Sequence, residues 1–255
     1  MLKEERIEQI ISILEEKGSV NINDLSSHFE VTMMTIRRDL DEIELKNCIK
    51  RTHGGAIYKI VNNKKNELPT LDRMHLLADE KIRIAQKAAE LIQKEDMIFL
   101  GSGTTALYLA KEILSRDDIS VVTNSLTILN ELAMNGKMTL IGVGGFLRRS
   151  EFSMIGHSAN EMIKDLHVDK LIMGMRGVHP RFGLTSDHPQ ELLTDRMLLN
   201  ISDQVIIVAD HTKIGHVAAS RTADLSASNI LITTQNASKE IINQIKAQGI
   251  EVFLV

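Results

Sequence analysis

Residues 32–40 restrict the possible folds of this chain more than any other segment. They read Thr-Met-Met-Thr-Ile-Arg-Arg-Asp-Leu. Thr32 is a favourable N-cap residue, and the apolar residues that follow recur at helical spacing. The pattern predicts a short helix whose buried stripe is Met33, Ile36, Leu40 and Ile43. A second helical segment, residues 22–29, ends only a few residues earlier. Two short helices at this spacing, the second one basic near its start, predict a helix-turn-helix.

The flanking segments extend this motif to a winged helix. Residues 3–17 carry a helical stripe of apolar side chains, and residues 22–29 are expected to bury Ile22, Leu25 and Phe29. Residues 49–52 and 56–58 are short β-prone runs on either side of a His-Gly-Gly turn, which predicts a hairpin. Three helices followed by a hairpin predict a winged helix over residues 1–59.

The outer face of the predicted third helix carries candidate DNA-contacting side chains. At 100° per residue, Arg38 lies opposite the buried stripe, so we expect it to contact a base edge, and Arg37 to contact a phosphate. The alternative is that both arginines pair with Asp41 and Glu42 on a solvated face. Side chains of the wing would meet phosphates or the minor groove. The predicted DNA-binding residues are Thr32, Met34, Thr35, Arg37, Arg38, Lys50, Arg51 and His53.

Composition restricts the setting of the protein. The chain has 255 residues and a formal net charge of −4, and residues 1–59 carry nine basic against eleven acidic side chains. Non-specific attraction to DNA should therefore be modest, and local geometry must supply the binding. The single cysteine excludes an internal disulfide. The sequence has no signal-peptide pattern and no membrane-spanning stretch, so a cytoplasmic protein without a membrane partner is expected.

The remainder of the chain predicts a larger α/β domain. Residues 60–70 have the composition of a linker, and a helix is expected over 71–93. Strand-like and helical patterns then alternate, which favours a mainly parallel sheet over residues 71–255. The expected strands are residues 97–100, 120–123, 139–143, 170–173, 205–209, 230–233 and 252–255.

A Gly-Ser-Gly-Thr-Thr sequence at 101–105 follows the first of these strands and opens a helix. Glycines allow a close approach to a ligand, and a helix N-terminus offers free N–H groups to an anion. The loops after three other strands could converge with it, because ligands collect beyond the carboxyl ends of parallel strands. The alternatives are a tight turn without a ligand and, for Lys213, a surface lysine. The predicted ligand-binding residues are Gly101, Ser102, Gly103, Thr104, Thr105, Asn124, Gly145, Arg176 and Lys213.

Both halves of the chain resemble one protein family. Residues 31–40 and the Arg-Thr-His-Gly-Gly-Ala sequence at 51–56 are similar to the DNA-binding domain of the DeoR family of bacterial transcriptional regulators. Residues 71–255 resemble the sensor domain of that family, which is similar in fold to ribose-5-phosphate isomerase. The resemblance implies a repressor, a homodimer or homotetramer, and a phosphorylated sugar as effector. It also implies that Thr104, Thr105 and Lys213 hold the phosphate.

One segment departs from the family pattern. Arg176 lies where the isomerase has catalytic aspartates, and an arginine cannot act as a carboxylate base. It could pair with an acidic group of the effector, with Asp187 or with Glu191. No catalytic, metal or cofactor site is predicted: His179, His188, His211 and His216 lack the spacing of a zinc site. A DNA-binding regulator of a carbohydrate-metabolism operon is therefore expected, with an isomerase-like enzyme and a ligand-free oligomerisation module as alternatives.

Overall fold

The computed structural model of the 255-residue chain describes residues 3–17, 19–45, 49–52, 54–58 and 70–255. The chain divides into two compact units, Met1–Asn66 and Glu67–Val255. The predicted linker lies almost wholly outside the described residues, and so does His53.

The N-terminal unit contains three helices and a small antiparallel sheet. The helices are α1 (Lys3–Lys17), α2 (Ile22–His28) and α3 (Met33–Leu45), and the strands are β1 (Ser19–Asn21), β2 (Ile49–Thr52) and β3 (Gly55–Tyr58). The strand order is β1-β3-β2. The predicted helices and hairpin are confirmed, whereas β1 is a third strand that the sequence did not predict.

The core of this unit contains most of the predicted apolar residues, with two corrections on α3. Ile36, Leu40 and Ile43 are buried, but Met33 is 50% exposed because it lies in the first helical turn, beyond the edge of the core. Asp39, which the helical pattern places at the edge of the outer face, is instead buried together with Arg6 of α1.

The C-terminal unit contains twelve of the described strands. They are β4 (Met97–Leu100), β5 (Ser120–Thr123), β6 (Thr139–Gly142), β7 (Phe146–Arg148), β8 (Ser153–Ile155), β9 (Val168–Met173), β10 (Gly177–His179), β11 (Gly183–Ser186), β12 (Ser202–Val208), β13 (Ser220–Ala223), β14 (Ile230–Thr233) and β15 (Glu251–Leu254). Seven of them form a parallel sheet of order β15-β14-β12-β9-β4-β5-β6. The predicted α/β fold with a mainly parallel sheet is confirmed.

Helices cover this sheet. They are α4 (Thr70–Arg73), α5 (Ala78–Glu90), α6 (Thr104–Glu112), α7 (Leu126–Asn135), α8 (His157–Lys164), α9 (Leu192–Asn200) and α10 (Lys239–Lys246). Alternate residues of β4 fill two separate cores: Phe99 lies in one, and Ile98 and Leu100 lie in the other. The single helix expected over 71–93 is interrupted between Arg73 and Ala78, where Leu77 has a left-handed backbone with φ of 52°.

The order of the strands creates a switch point at the centre of the sheet. The chain places β4, β5 and β6 outward in one direction, returns to place β9 on the other side of β4, and continues outward through β12, β14 and β15. The loops after β4 and β9 therefore leave the sheet side by side at its carboxyl edge, the position where open α/β sheets bind ligands. In the described part of the chain, every helix is too short or too polar to cross a lipid bilayer.

Candidate functional site

The N-terminus of α3 is held in place by local hydrogen bonds. The Thr35 N–H donates to Thr32 Oγ1 at 3.2 Å, which confirms Thr32 as the N-cap, and the two hydroxyl oxygens lie 2.9 Å apart. In the preceding turn, Ser26 Oγ donates to the carbonyl oxygen of Val31 at 2.6 Å. The first turn of α3 therefore has a defined position relative to α2.

The outer face of α3 presents two uncommitted guanidinium groups. Arg37 and Arg38 are exposed, and neither side chain has a hydrogen bond or ion pair within the described residues. The alternative pairing is wrong, because Asp41 Oδ1 binds Arg51 at 2.5 Å and Glu42 Oε2 binds Lys3 at 2.6 Å. Beside the arginines, Met34 is 57% exposed and Thr35 is half-buried.

Arg51 connects the wing to α3. Its Nη1 donates to the carbonyl oxygen of Arg37 at 2.9 Å as well as to Asp41, and its backbone N–H donates to Glu44 Oε1 at 2.9 Å. The guanidinium predicted to meet DNA thus already has protein partners. Lys50 lies in β2, although the structure does not describe its side chain, and His53 is outside the described residues.

The predicted ligand-binding residues follow strands that end at one edge of the parallel sheet. Residues 101–103 follow β4, residues 174–176 follow β9, and residues 209–213 follow β12. These three strands are adjacent, so at about 4.8 Å per strand their ends span about 10 Å. Loops from distant parts of the sequence therefore surround the switch point.

The loop after β4 leaves the N-terminus of α6 open. Gly103 has φ of 116°, and a Cβ placed there would meet no atom within 4 Å. No side chain caps α6, and the buried Thr104 and Thr105 make no side-chain hydrogen bond to any described residue. Gly101 serves packing instead, because its Cβ would lie 2.8 Å from the Cβ of Met173 on β9. This arrangement suits an anion, since the N–H groups and hydroxyls are all unengaged donors.

Two cations, Arg176 and Lys213, lie on the loops that follow the neighbouring strands β9 and β12. Lys213 is half-buried and has no hydrogen bond or ion pair within the part of the chain that the structure describes. Burial lowers the pKa of Lys213, while nearby Asp210 acts in the opposite direction and Arg176 reinforces the decrease. Burial also lowers the pKa of Arg176, although Asp187, Glu191 and Asp210 oppose it.

Arg176 binds a residue that the sequence did not single out. Its Nη2 donates to Glu151 Oε1 at 3.2 Å, while Asp187 and Glu191 act on it through their charges. Glu151 lies in the turn between β7 and β8, a hairpin outside the alternating pattern, so no local signal marked it.

Asn124 and Gly145 occupy the other side of the switch point. Asn124 follows β5, is buried, and donates through Nδ2 to the carbonyl oxygen of Met154 at 3.1 Å. Its Oδ1 is buried without a hydrogen-bond partner among the described residues. Gly145 follows β6, two strands away from β4, and a Cβ there would lie 2.7 Å from the carbonyl oxygen of Ile155. Its visible role is close packing against the hairpin.

The structure adds a second layer of charged groups that the motifs did not indicate. The buried Lys81 donates to the carbonyl oxygens of Arg73 and Leu76 at 2.6 and 2.5 Å. Burial acts to raise the pKa of Asp210, but Lys213, Thr212 and Lys81 outweigh it, so the net shift is downward. Asp210 is therefore a stable anion between the two lysines.

Two of the four histidines considered for a zinc site have structural roles: His179 Nδ1 accepts from the Arg181 N–H at 3.0 Å, and His211 contacts a buried carboxylate. His211 Nδ1 lies 2.8 Å from Glu80 Oε2, and the same buried carboxylate accepts from Thr234 and Asn236 at 2.8 Å each. The described residues contain no group of three or more His, Cys, Asp or Glu side chains placed to hold a metal ion.

A winged helix with exposed arginines and an α/β unit with an anion-suited sheet edge together define a DNA-binding regulator with a sensor unit. The sequence model of the DeoR-like helix-turn-helix domain matches residues 6–60, and that of the DeoR C-terminal sensor domain matches residues 77–235. The chain belongs to the DeoR family of transcriptional regulators.

Curated relatives agree with this assignment. The glycerol-3-phosphate regulon repressor of Escherichia coli K12 is 32% identical over 91% of each chain. The transcriptional repressor GlcR of Bacillus subtilis 168 is 30% identical over 100% of this chain and 97% of its own. Ribose 5-phosphate isomerase A of Methanocaldococcus jannaschii is 17% identical in sequence, with a TM-score of 0.39 over 53% of this chain and 54% of that chain. The protein is thus a transcriptional regulator rather than an enzyme.

Proposed function

We propose that this protein represses a carbohydrate-metabolism operon and is released from its operator by a phosphorylated sugar. Residues 1–59 bind the operator, and residues 60–70 link them to the effector-binding residues 71–255. The latter residues also form the contacts of a homodimer or homotetramer, and the protein acts in the cytoplasm. Two relatives carry names of this kind, the aga operon repressor and the glycerol-3-phosphate regulon repressor.

The observation that carries the effector class is that Lys213, on the loop after β12, and the open N-terminus of α6 lie at the same edge of the parallel sheet. Burial lowers the pKa of Lys213 more than the nearby Asp210 carboxylate raises it, so the charged ammonium is incompletely compensated and an anionic ligand stabilises it further. A phosphate placed there accepts from the free N–H groups of α6 and from the hydroxyls of Thr104 and Thr105. Lys213 neutralises part of its charge.

The observation that supports a sugar is the pair of polar acceptors near this edge of the sheet. Asn124 Oδ1 is a buried acceptor without a described donor, directly after the strand that adjoins β4. Asp187 is an exposed carboxylate close enough to act on Arg176 and Lys213. Hydroxyl groups supply donors to such acceptors.

The exposed face of α3 supports operator binding. Arg38 reads a base, Arg37 binds a phosphate, and Met34 and Thr35 lie beside them for apolar or hydroxyl contacts. Because the chain has a net charge of −4, non-specific attraction is weak, so a symmetric oligomer on two half-sites supplies the affinity.

The test is a fluorescence-anisotropy titration of the full-length protein on the DNA upstream of its own coding sequence. A random-sequence duplex and a salt series separate specific from non-specific binding. If the upstream region is not bound, selection from a random library supplies the operator. The titration is repeated with sugar phosphates and with their unphosphorylated parents.

Lys213→Met and Lys239→Met form a matched pair for this assay, because Lys239 is an exposed lysine at the start of α10. We expect one phosphorylated compound to weaken operator binding. Lys213→Met should raise the concentration required by about tenfold or more, as for the loss of a charge-assisted bond. Lys239→Met should leave it unchanged. Equal responses of both variants, or a response to the unphosphorylated sugar alone, would contradict the proposed effector.

A further inference from the structure

The buried carboxylate of Glu151 joins two segments that are far apart in sequence. It lies in the turn between β7 and β8 and is 6% exposed. Its Oε2 accepts from Thr70 Oγ1 at 2.8 Å. Its Oε1 accepts from two guanidinium groups, those of Arg73 and Arg176. Glu151 thus connects α4 with the loop that follows β9.

The α4 side of this connection lies near the start of the C-terminal unit, which begins at Glu67. Thr70 is fully buried, and its N–H donates to the carbonyl oxygen of Ser150 at 2.9 Å. Arg73 Nη2 also donates to Thr70 Oγ1 at 3.1 Å. Helix α4 is therefore attached to the β7–β8 turn through the Glu151 carboxylate and the carbonyl oxygen of Ser150.

The other side of the connection is the candidate effector site. Arg176 follows β9 at the switch point, and its positive charge helps to lower the pKa of Lys213, so the two cations lie near one another. An anion bound there would attract the Arg176 guanidinium away from Glu151 Oε1. That oxygen would then bind Arg73 without competition from the Arg176 cation.

We propose that Glu151 positions Arg176 in the effector site and transmits its occupancy to α4. An anion at the switch point tightens the attachment of Thr70 and Arg73 to the β7–β8 turn. The ligand-dependent part of this inference rests on the proposed effector site, whereas the sharing of Glu151 by two arginines does not. A coupling of this kind requires one element that both segments bias, and the shared carboxylate is that element.

Hydrogen–deuterium exchange of the full-length protein tests the proposal with two separate readouts. Peptides covering residues 101–107 report ligand binding, and peptides covering residues 70–77 report the attachment of α4. The probes are inorganic phosphate, glycerol 3-phosphate and ribose 5-phosphate. Glu151→Gln is compared with Glu161→Gln, since Glu161 is an exposed glutamate on α8 whose described partner is Lys164.

In the wild-type protein and in Glu161→Gln, we expect a bound probe to slow exchange at residues 101–107 and at residues 70–77. At residues 70–77 the slowing should be about fivefold. In Glu151→Gln, only residues 101–107 should respond. Slowing at 101–107 without any effect at 70–77, or an equal effect in Glu151→Gln, overturns the inference but leaves the proposed effector site intact. No slowing at 101–107 with any probe counts against the proposed effector.

A comparison without ligand tests the connection between Arg176 and α4 even if no probe binds. Arg176→Met removes the competing cation, so exchange at residues 70–77 should slow by about fivefold in the otherwise unchanged protein. The same substitution should have no effect in the Glu151→Gln background. If Glu151→Gln does not fold, unchanged or faster exchange in Arg176→Met alone overturns the proposal.

Discussion

Arg6 and Asp39 form a buried two-point ion pair that fastens α1 to α3. Arg6 Nε donates to Asp39 Oδ2 at 2.7 Å, and Nη2 donates to Oδ1 at 3.2 Å. Asp39→Asn removes the carboxylate charge that holds the buried guanidinium at two points, so we expect a loss of about 3–5 kcal/mol in the stability of the N-terminal unit. Urea denaturation followed by circular dichroism measures it.

Asp41→Asn is the matched control for this prediction. Asp41 lies on the same helix, but its side chain is 65% exposed and pairs with Arg51 at the surface. Loss of this ion pair should lower the stability of the N-terminal unit by no more than about 1 kcal/mol. Similar stabilities of the two variants would show that the Arg6–Asp39 pair does not hold the helices together.

The two glycines of the wing should respond very differently to the same change. A Cβ on Gly55 would lie 1.9 Å from the carbonyl oxygen of Val20, whereas on Gly54 it would meet only Asn21 Nδ2 at 4.0 Å. Gly55→Ala therefore separates β3 from β1, and we expect a stability loss of about 1–3 kcal/mol or more together with weaker DNA binding. Gly54→Ala should retain the wild-type stability and DNA binding. Thermal melts and the anisotropy assay compare them, and a well-folded Gly55→Ala variant would contradict the packing.

The stability of the C-terminal unit should depend on pH through Asp195. Burial, followed by the charge of Glu191, raises the pKa of Asp195 from 3.8 to about 8. The folded protein therefore retains a proton that the unfolded chain releases above 3.8. The free energy of unfolding falls with rising pH between these values, by about 1.4 kcal/mol per pH unit for one proton.

Asp195→Asn removes this dependence and should be more stable than the unchanged protein near pH 8. Urea unfolding from about pH 6 to about 8 measures the free energy of unfolding of both proteins. The contributions of other titrating groups cancel in the difference between the two values. Glu161→Gln, an exposed carboxylate on α8, serves as control. Parallel curves for the Asp195→Asn variant and the unchanged protein would show that Asp195 is ionised in the folded state.

Arg37 and Arg38 should differ in the way they lose DNA binding. Arg38→Ala is expected to cost about 1–3 kcal/mol on the operator and to relax the preference at one base position. Arg37→Ala should weaken binding to all sequences and reduce the slope of affinity against salt by about one. Neither change should alter folding, since neither side chain has a partner within the described residues. Anisotropy titrations on operator and random duplexes separate the two roles. A uniform loss of binding for Arg38→Ala together with a sequence-specific loss for Arg37→Ala would contradict the assignment.

The elements that the sequence predicts well are those whose apolar pattern is long and regular. Ile36, Leu40 and Ile43 repeat at helical spacing and are buried, and the apolar runs that form β4, β9 and β12 are buried in the parallel sheet. In contrast, β10, β11 and β13 are short and rich in small or polar residues, so their sequences resemble loops.

The partners and the burial of charged residues are harder to predict from the sequence. The helical pattern places Asp39 at the edge of the outer face of α3, and its burial depends on Arg6, 33 residues away. Glu151 is similar: its partners Thr70 and Arg176 come from different elements, and no local spacing connects them. The loops around the switch point could be predicted, because parallel strands end at one edge, but the ion pairs between them depend on the tertiary fold.

The switch point also has a consequence for synthesis on the ribosome. β4 pairs with β9 in a register that aligns Ile98 with Lys170, about 70 residues later in the chain. At about 5–20 residues per second, the central strand waits about 4–14 s for its neighbour. The winged helix is complete in sequence by Tyr58, well before that strand emerges. A nascent chain thus carries its complete DNA-binding segment for several seconds before the two central strands of the C-terminal unit can pair.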